Sequence, residues 1–125
     1  MLNVVIIGLG GFVGAVARYL ITALVHRWLV TDFPAGTFVV NVFGSFIIGA
    51  IMYLTQNDDS LSPQMKLFLT IGIVGAFTTF STFSFETLAL FHSKAAGLAV
   101  LNILGNVMLG LLAVWGGYTL IKVVR

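Results

Sequence analysis

Apolar residues fill four long stretches of the chain, and short polar segments separate them. A hydrocarbon core of ~30 Å takes about 20 helical residues at ~1.5 Å per residue. The stretches meet that length and predict spans over residues 2–28, 35–55, 63–92 and 95–121. Residues 109–115 do not alternate between polar and apolar as the strands of a membrane barrel do. The pattern predicts one all-α integral membrane domain with four transmembrane helices.

Polar residues mark the ends of these spans. Residues 56–60, from Gln56 to Ser60, end the second span. Ser62 is placed to cap the third span, with Pro63 at the first helical position, where its missing N–H has no cost. The third span covers some thirty residues, which is longer than one straight crossing requires.

The composition supports a location in lipid. Of 125 residues, 59% are hydrophobic and 8% are charged, whereas soluble domains carry about 25% charged residues. The mean hydropathy is +1.11, and there are 14 glycines, which are commoner in membrane helices than in soluble ones. A cytosolic enzyme, a nucleic-acid binder and a secreted scaffold are therefore excluded. The chain has no cysteine, no nucleotide-binding motif and no catalytic dyad, so we do not expect an enzyme.

Lys and Arg are divided almost evenly between the two sides of the predicted bundle. One side holds Lys66, Lys122 and Arg125, and the other holds Arg27 and Lys94, with Arg18 as a possible third. Orientation normally follows an excess of these residues on the cytoplasmic side. The near balance predicts insertion in both orientations and antiparallel pairing; a single orientation set by one charge is the alternative.

Each span carries small or polar residues spaced four apart, which places them on one helix face. These stripes are Gly10, Gly14 and Arg18; Thr37, Asn41 and Ser45; Thr78, Thr82 and Glu86; and Asn102, Asn106 and Gly110. Helix packing alone could explain the glycines and Ser45. The three asparagines each need hydrogen-bond partners in an apolar span, which favours a polar path.

Arg18 and Glu86 are the only charged residues well inside the predicted spans. An ionisable residue at such a position is a functional candidate. Both lie toward the same side of the bundle, so they could pair with each other, reach the interface by snorkelling or act separately along a pore.

The most unusual segment runs from Thr78 to Glu86, with five hydroxyl residues in seven positions after Gly72 and Gly75. Ser and Thr hydroxyls bend helices and Gly weakens them, so we expect a break between Gly75 and Thr79, in mid-membrane. Broken backbone at membrane depth survives where it is buried in protein or lines a cavity. Freed carbonyls there can coordinate cations, and the N-terminus of the second half-helix favours an anion.

Phe80 and Phe83 are three residues apart and share a helix face. Packing in the core or against lipid is one interpretation. The other uses the positive rim of an aromatic ring, against which a small anion could sit edge-on. Asn41 N–H and the hydroxyl of Ser81 or Thr82 would then be its hydrogen-bond donors.

Three motifs carry a resemblance to a known family. Residues 11–19 (GFVGAVARY), 36–46 (GTFVVNVFGSF) and 72–83 (GIVGAFTTFSTF), followed by 110–115 (GLLAVW), resemble the Fluc (CrcB-type) fluoride channels. The resemblance covers nearly the whole chain. It implies a passive fluoride channel that works as a dual-topology antiparallel homodimer with two pores and a structural sodium ion at its centre.

The resemblance also implies roles for individual residues. Backbone carbonyls of Gly75 and Thr78 from each subunit would hold the sodium ion. The chain departs from the family at Ala76, where a second glycine is common, and at Asn106, where Ser is frequent. The implied pore residues are Asn41, Phe80 and Phe83, with Ser81, Thr82, Thr37, Glu86 and Asn106 on the polar track and Arg18 at the vestibule.

Such a channel in the cell (inner) membrane would let the membrane potential drive trapped fluoride out at ~2.3 kcal/mol per charge per 100 mV. Fluoride enters as neutral HF and dissociates inside, so export would relieve its toxicity without a coupling ion. Two other readings remain: a small dual-topology proton-coupled multidrug exporter, and a noncatalytic helical subunit in which every stripe is packing.

Overall fold

The computed structural model describes residues 1–57 and 61–125, which form helices and short connections. The elements are α1 (Leu2–Trp28), α2 (Ala35–Asn57), α3 (Pro63–Leu67), a π-helical segment (Phe68–Val74), α4 (Gly75–Phe77), α5 (Phe80–His92) and α6 (Ala96–Val124). Four helical stretches are long and apolar enough to cross a membrane: α1, α2, Pro63–His92 and α6. The predicted all-α architecture with four candidate spans is confirmed.

The observed helix ends lie close to the predicted ones. The first stretch runs from residue 2 to 28 and the third from 63 to 92, as predicted. The second continues to Asn57 instead of 55, and the fourth covers 96–124 instead of 95–121. Asp58, Asp59 and Ser60, predicted to end the second span, lie outside the described residues.

Side-chain hydrogen bonds fix the start of the third span. Ser62 Oγ accepts a hydrogen bond from the backbone N–H of Met65 at 3.2 Å, and Pro63 is the first residue of α3, as predicted. The Lys66 ammonium donates to the backbone carbonyl of Thr55 at 2.7 Å. This bond joins α3 to the last turns of α2, where carbonyl groups lack helical donors.

On α6, small or polar residues are buried in the bundle, and large apolar side chains are exposed. The buried residues of α6 are Ala99, Asn102 and Gly117. Trp115 and Leu111, on the same helix, are exposed. Outward apolar side chains and small inward residues are typical of helices that pack within lipid. The chain is a multi-pass membrane protein.

Glycines allow two close helix contacts. A Cβ atom on Gly10 of α1 would lie 2.9 Å from the Cα of Gly72 in the π-helical segment. A Cβ on Gly117 of α6 would overlap the backbone oxygen of Phe46 in α2. Because no side chain separates the backbones at these points, the glycines of the first stripe serve helix packing.

The third stretch is not a continuous α-helix. Its π-helical segment leads into α4, after which Thr78 (φ −77°, ψ 157°) and Thr79 (φ −149°, ψ 118°) are extended. Helical geometry resumes at Phe80, where Thr79 Oγ1 accepts from the N–H of Thr82 at 3.3 Å and caps α5. The sequence predicts a break between Gly75 and Thr79, and the two extended residues lie at the end of that interval.

Candidate functional site

Asn41 of α2 holds the extended backbone between α4 and α5. Its Oδ1 accepts from the N–H of Thr79 at 2.9 Å, and its Nδ2 donates to the carbonyl of Thr79 at 3.1 Å. These two bonds satisfy both backbone groups of a buried residue that has left the helix. The side chain of Asn41 therefore stabilises the interruption.

A chain of amides extends from Asn41 across α6 to α5. Asn41 Nδ2 donates to Asn106 Oδ1 at 3.0 Å. Asn106 Nδ2 donates to both the backbone O and the Oδ1 of Asn102 at 2.9 Å, and Asn102 Nδ2 donates to Thr87 Oγ1 at 2.9 Å. Both hydrogens of the Asn41 amide are thus already donated within the protein. The expectation that Asn41 N–H donates directly to an anion does not describe this arrangement.

Most of the predicted site residues line one cleft. Its volume is about 380 Å³, and its walls come from α2, the interrupted third stretch and α6. The predicted residues that line it are Asn41, Gly75, Thr78, Phe80, Phe83 and Asn106. Ser45 and Thr79 lie in the same lining. The structure therefore brings together residues from three of the four stripes.

Phe80 and Phe83 contact each other at one end of this cleft. Their ring centroids are 5.6 Å apart, and the ring planes are tilted by 50°. Phe83 is 9% exposed and packs in the core, whereas Phe80 is 79% exposed. Of the two aromatic rings, only that of Phe80 is free to move without disturbing the core.

The hydroxyls of Ser81 and Thr82 lie close to the hydroxyl of Thr79. Thr79 Oγ1 donates to Thr82 Oγ1 at 3.0 Å and lies 3.5 Å from Ser81 Oγ. Both side chains are exposed in the first turn of α5. The three hydroxyls form a polar cluster where the backbone N–H groups of a helix start are not used by the helix itself.

Glu86 lies apart from the first cleft and bonds to Thr37. Thr37 Oγ1 donates to Glu86 Oε1 at 2.8 Å, while Oε2 is buried without a hydrogen-bond partner in residues 1–57 and 61–125. Glu86 lines a second cavity of about 470 Å³ together with Asp32 and Phe85. Arg18 is half-buried on α1 and lines neither cavity. Within one chain, the partner of Glu86 is therefore Thr37 and not Arg18.

The carbonyls of Gly75 and Thr78 have lost their usual helical donors. In a continuous α-helix they would accept from the N–H groups of Thr79 and Thr82. Here Thr79 N–H donates to Asn41 Oδ1, and Thr82 N–H donates to Thr79 Oγ1. Both residues line the same cleft, so their oxygens fit the chemistry of a sodium ligand. In the described part of the chain, no three His, Cys, Asp or Glu side chains gather as a metal site.

Thr79 and Thr87 bond to asparagines of the amide chain, although neither was a predicted site residue. Both are buried, and each is bonded to an asparagine from another helix. The available signal was the unmet hydrogen-bonding demand of Asn41 and Asn102, which required polar partners somewhere in the bundle.

Four apolar helical stretches, three of which line a cleft that holds part of a polar amide chain, define a multi-pass membrane protein. Residues 5–118 match the family described as CrcB-like protein, Camphor Resistance (CrcB). The chain belongs to this family.

Similar proteins carry a common name. The chain is 46% identical over 117 residues to the fluoride-specific ion channel FluC of Hydrogenovibrio crunogenus, covering 94% of this chain and 89% of that one. It is 44% identical over 124 residues to the FluC protein of Ruminiclostridium cellulolyticum (99% and 95% covered). The FluC protein of Campylobacter jejuni strain 81-176 is 46% identical over 123 residues (98% and 100% covered).

Proposed function

We propose that this protein is a passive, selective fluoride channel that exports fluoride across the cell (inner) membrane and relieves fluoride toxicity. Relatives that are 44–46% identical over nearly the whole chain are named fluoride-specific ion channels, which supports the proposal. The structural observation that carries it is the helix start at Phe80, held open by Asn41 and placed beside two phenylalanine rings in one cleft.

The chemistry of this helix start suits a small anion. The unused N–H groups in the first turn of α5 and the helix dipole both favour negative charge. The rims of the Phe80 and Phe83 rings carry partial positive charge and can contact an anion directly, without a bridging water. The hydroxyls of Ser81 and Thr82 extend the polar track, and Thr37, Glu86, Asn106 and Arg18 are the further candidates along it. Asn41 acts in this proposal by fixing the backbone, since its own N–H groups are committed.

The interruption would lie near the membrane midplane. Thr78 and Thr79 fall near the middle of the thirty residues Pro63–His92 that are long enough to cross. Extended backbone at that depth needs protein or water around it. The bonds from Asn41 to Thr79 meet part of this requirement, and a second copy of the chain over the cleft would meet the rest.

The proposed assembly is an antiparallel homodimer with dual topology and a sodium ion at its centre. The nearly balanced Lys and Arg distribution supports insertion in both directions. The carbonyls of Gly75 and Thr78 supply only two oxygens from one chain, and a two-fold axis would double that number. These carbonyl oxygens would hold the ion, and its positive charge would offset their dipoles.

Fluoride efflux from liposomes that contain the purified protein tests the proposed function. With a potassium gradient and valinomycin setting the voltage, we expect an electrode to record fluoride release that needs neither a proton gradient nor a nucleotide. Protein-free liposomes and liposomes loaded with chloride are the controls. No fluoride release above the protein-free level would contradict the channel.

The proton-coupled exporter is the weaker candidate. Such a carrier needs a carboxylate at its exchange site, and Glu86 is the only acidic residue well inside the predicted spans. Its Oε1 already accepts from Thr37, and the chain of amides has no role in that scheme. Proton-dependent uptake of a cationic dye in the same liposomes would favour the exporter.

A further inference from the structure

Thr87 lies one helical turn after Phe83, and its buried hydroxyl links a carbonyl to an amide. Thr87 Oγ1 donates to the backbone carbonyl of Phe83 at 2.7 Å and accepts from Asn102 Nδ2 at 2.9 Å. A hydroxyl group has a single hydrogen. Because that hydrogen goes to the Phe83 carbonyl, Thr87 can only accept from Asn102.

This restriction orients Asn102, and two other amides share its direction with help from backbone groups: the Asn102 carbonyl also accepts from Asn106, and the Thr79 N–H and carbonyl both pair with Asn41. Asn102, which is 1% exposed, presents Nδ2 to Thr87, so its Oδ1 is left to face Asn106. Asn106 then presents Nδ2 to Asn102 and Oδ1 to Asn41. Asn41 presents Nδ2 to Asn106, and its Oδ1 remains for the N–H of Thr79.

Reversing any one amide would place two oxygens or two N–H groups against each other. Buried polar groups without partners are strongly unfavourable, so the three amides adopt one direction together. The hydroxyl of Thr87 stands at the end of this chain and does not bond to Asn41; its own bonds are to Asn102 and to the backbone carbonyl of Phe83, a residue of the cleft lining.

We propose that Thr87 is a positioning residue for the helix interruption. Its hydroxyl fixes Asn102 in the amide relay, which consists of Thr87, Asn102, Asn106 and Asn41, at the end where no backbone group bonds to the amide. Through the relay it supports the orientation of Asn41 that pairs with the backbone of Thr79. The inference has two readouts. Fluoride efflux rests on the proposed channel function, whereas the side-chain amide NMR signals do not depend on it.

The test replaces Thr87 by a residue of the same shape without a hydroxyl. In Thr87→Val, we expect the side-chain amide NMR signals of Asn41 and Asn106 to shift or to split into two conformers. The chain has five asparagines, so ¹⁵N-Asn labelling gives few signals, each assignable by a single substitution. Fluoride efflux should fall about tenfold, as expected when a buried hydrogen-bonded group loses its partner.

Two further variants separate hydrogen bonding from packing. Thr87→Ser keeps the hydroxyl and should restore both the amide signals and the efflux. Ser84→Ala is the matched control, because Ser84 Oγ donates to the Phe80 carbonyl at 2.9 Å by the same i to i−4 geometry but stands outside the relay. We expect wild-type Asn41 signals and efflux from Ser84→Ala.

Wild-type Asn41 signals in Thr87→Val would overturn the proposal, and so would a Thr87→Ser protein that behaves like Thr87→Val. If Thr87→Val does not fold, Thr87→Cys replaces it, because a thiol of similar size is a weak hydrogen-bonding group. Wild-type Asn41 signals in Thr87→Cys would then overturn the proposal. If the wild-type protein carries no fluoride, the proposed function fails while the amide signals still decide the relay.

Discussion

The side-chain amide of Asn41 pairs with the backbone of Thr79 through two hydrogen bonds. The Thr79 N–H donates to Asn41 Oδ1 at 2.9 Å, and Asn41 Nδ2 donates to the Thr79 carbonyl at 3.1 Å. Asn41 lies in α2, and Thr79 lies 38 positions later in the extended backbone that precedes α5. The Asn41 side chain thus supplies the hydrogen bonds that neighbouring turns would have supplied in a continuous helix. The shape of the third stretch therefore depends on α2.

Changing Asn41 to Asp should abolish or greatly slow fluoride efflux while leaving the dimer intact. A carboxylate cannot donate to the Thr79 carbonyl or to Asn106 Oδ1, and its charge would repel an anion in the cleft. Each lost partner costs about 1–3 kcal/mol, so the efflux should fall by about 10- to 100-fold. Liposome efflux and size-exclusion chromatography measure the two effects.

Asn57→Asp is the matched control, because Asn57 Nδ2 donates to the Tyr53 carbonyl at the exposed end of the same helix. Its efflux should equal that of the wild type. Equal efflux in Asn41→Asp as well would remove Asn41 from the site.

Replacing Phe80 by Ile should also abolish or greatly slow fluoride efflux. An aliphatic side chain is apolar like Phe but has no positive rim for an anion. Since Phe80 is 79% exposed in the single chain, its loss should not disturb the core. Phe12→Ile on α1, where Phe12 is 71% exposed, is a control at an exposed position that lines neither cavity. Similar efflux from both variants would contradict a role for the Phe80 ring.

Gly117→Ala should destabilise the bundle, while Gly116→Ala should not. A Cβ on Gly117 would overlap the backbone oxygen of Phe46, whereas a Cβ on Gly116 meets nothing within 4 Å. Overpacking of this kind costs about 1–3 kcal/mol. Denaturant unfolding in detergent should show the difference between these neighbouring positions, and equal stabilities would argue against the tight contact of α2 with α6.

Removing sodium should impair the proposed channel. The carbonyls of Gly75 and Thr78 would then face their copies across the dimer axis with no cation between them. We expect slower efflux or a weaker dimer when sodium is replaced by N-methyl-D-glucamine from membrane extraction onward, with recovery when sodium is added back. Unchanged efflux and unchanged dimer stability without sodium would contradict the site.

Insertion in both orientations predicts that reporters on the C-terminus will be active on both sides of the membrane. Alkaline phosphatase reports export, and green fluorescent protein reports the cytoplasm. Adding two lysines after Arg125 should bias the population toward one reporter, because the existing difference is one charge or none. A signal from one side only, with the unmodified chain, would contradict dual topology.

The sequence was sufficient to predict the four candidate spans and half of the residues that line the cleft. Helix length and apolar composition determine the spans directly, since a bilayer allows few alternatives. Spacing by four placed Asn41 and Asn106 on the stripes whose residues line the cleft. It could not predict which amide bonds to which, because a stripe defines a helix face and leaves the rotation of the partner helix open.

Two details of the site depended on packing that no local pattern contains. The sequence left open whether Glu86 pairs with Arg18. Thr37, which donates to Glu86 in the structure, was identified only as a member of the stripe on the second span. The close contact of Gly10 with Gly72, which lies in the unpredicted π-helical segment, also joins residues that are distant in the sequence. Both contacts follow from how α1 and α2 lie against the third stretch.

The π-helical segment, Phe68–Val74, has a consequence for evolution of the chain. A π-bulge is commonly equivalent to one residue inserted in an α-helix, and one residue turns an α-helix by about 100°. Deleting a single residue there would restore regular winding and leave the residues downstream in nearly the same phase relative to α1. A deletion within α2 or α6 would instead turn everything after it by about 100°, although the hydropathy profile would hardly change. Among functional descendants, single-residue deletions should therefore be more common in this segment than inside α2 or α6.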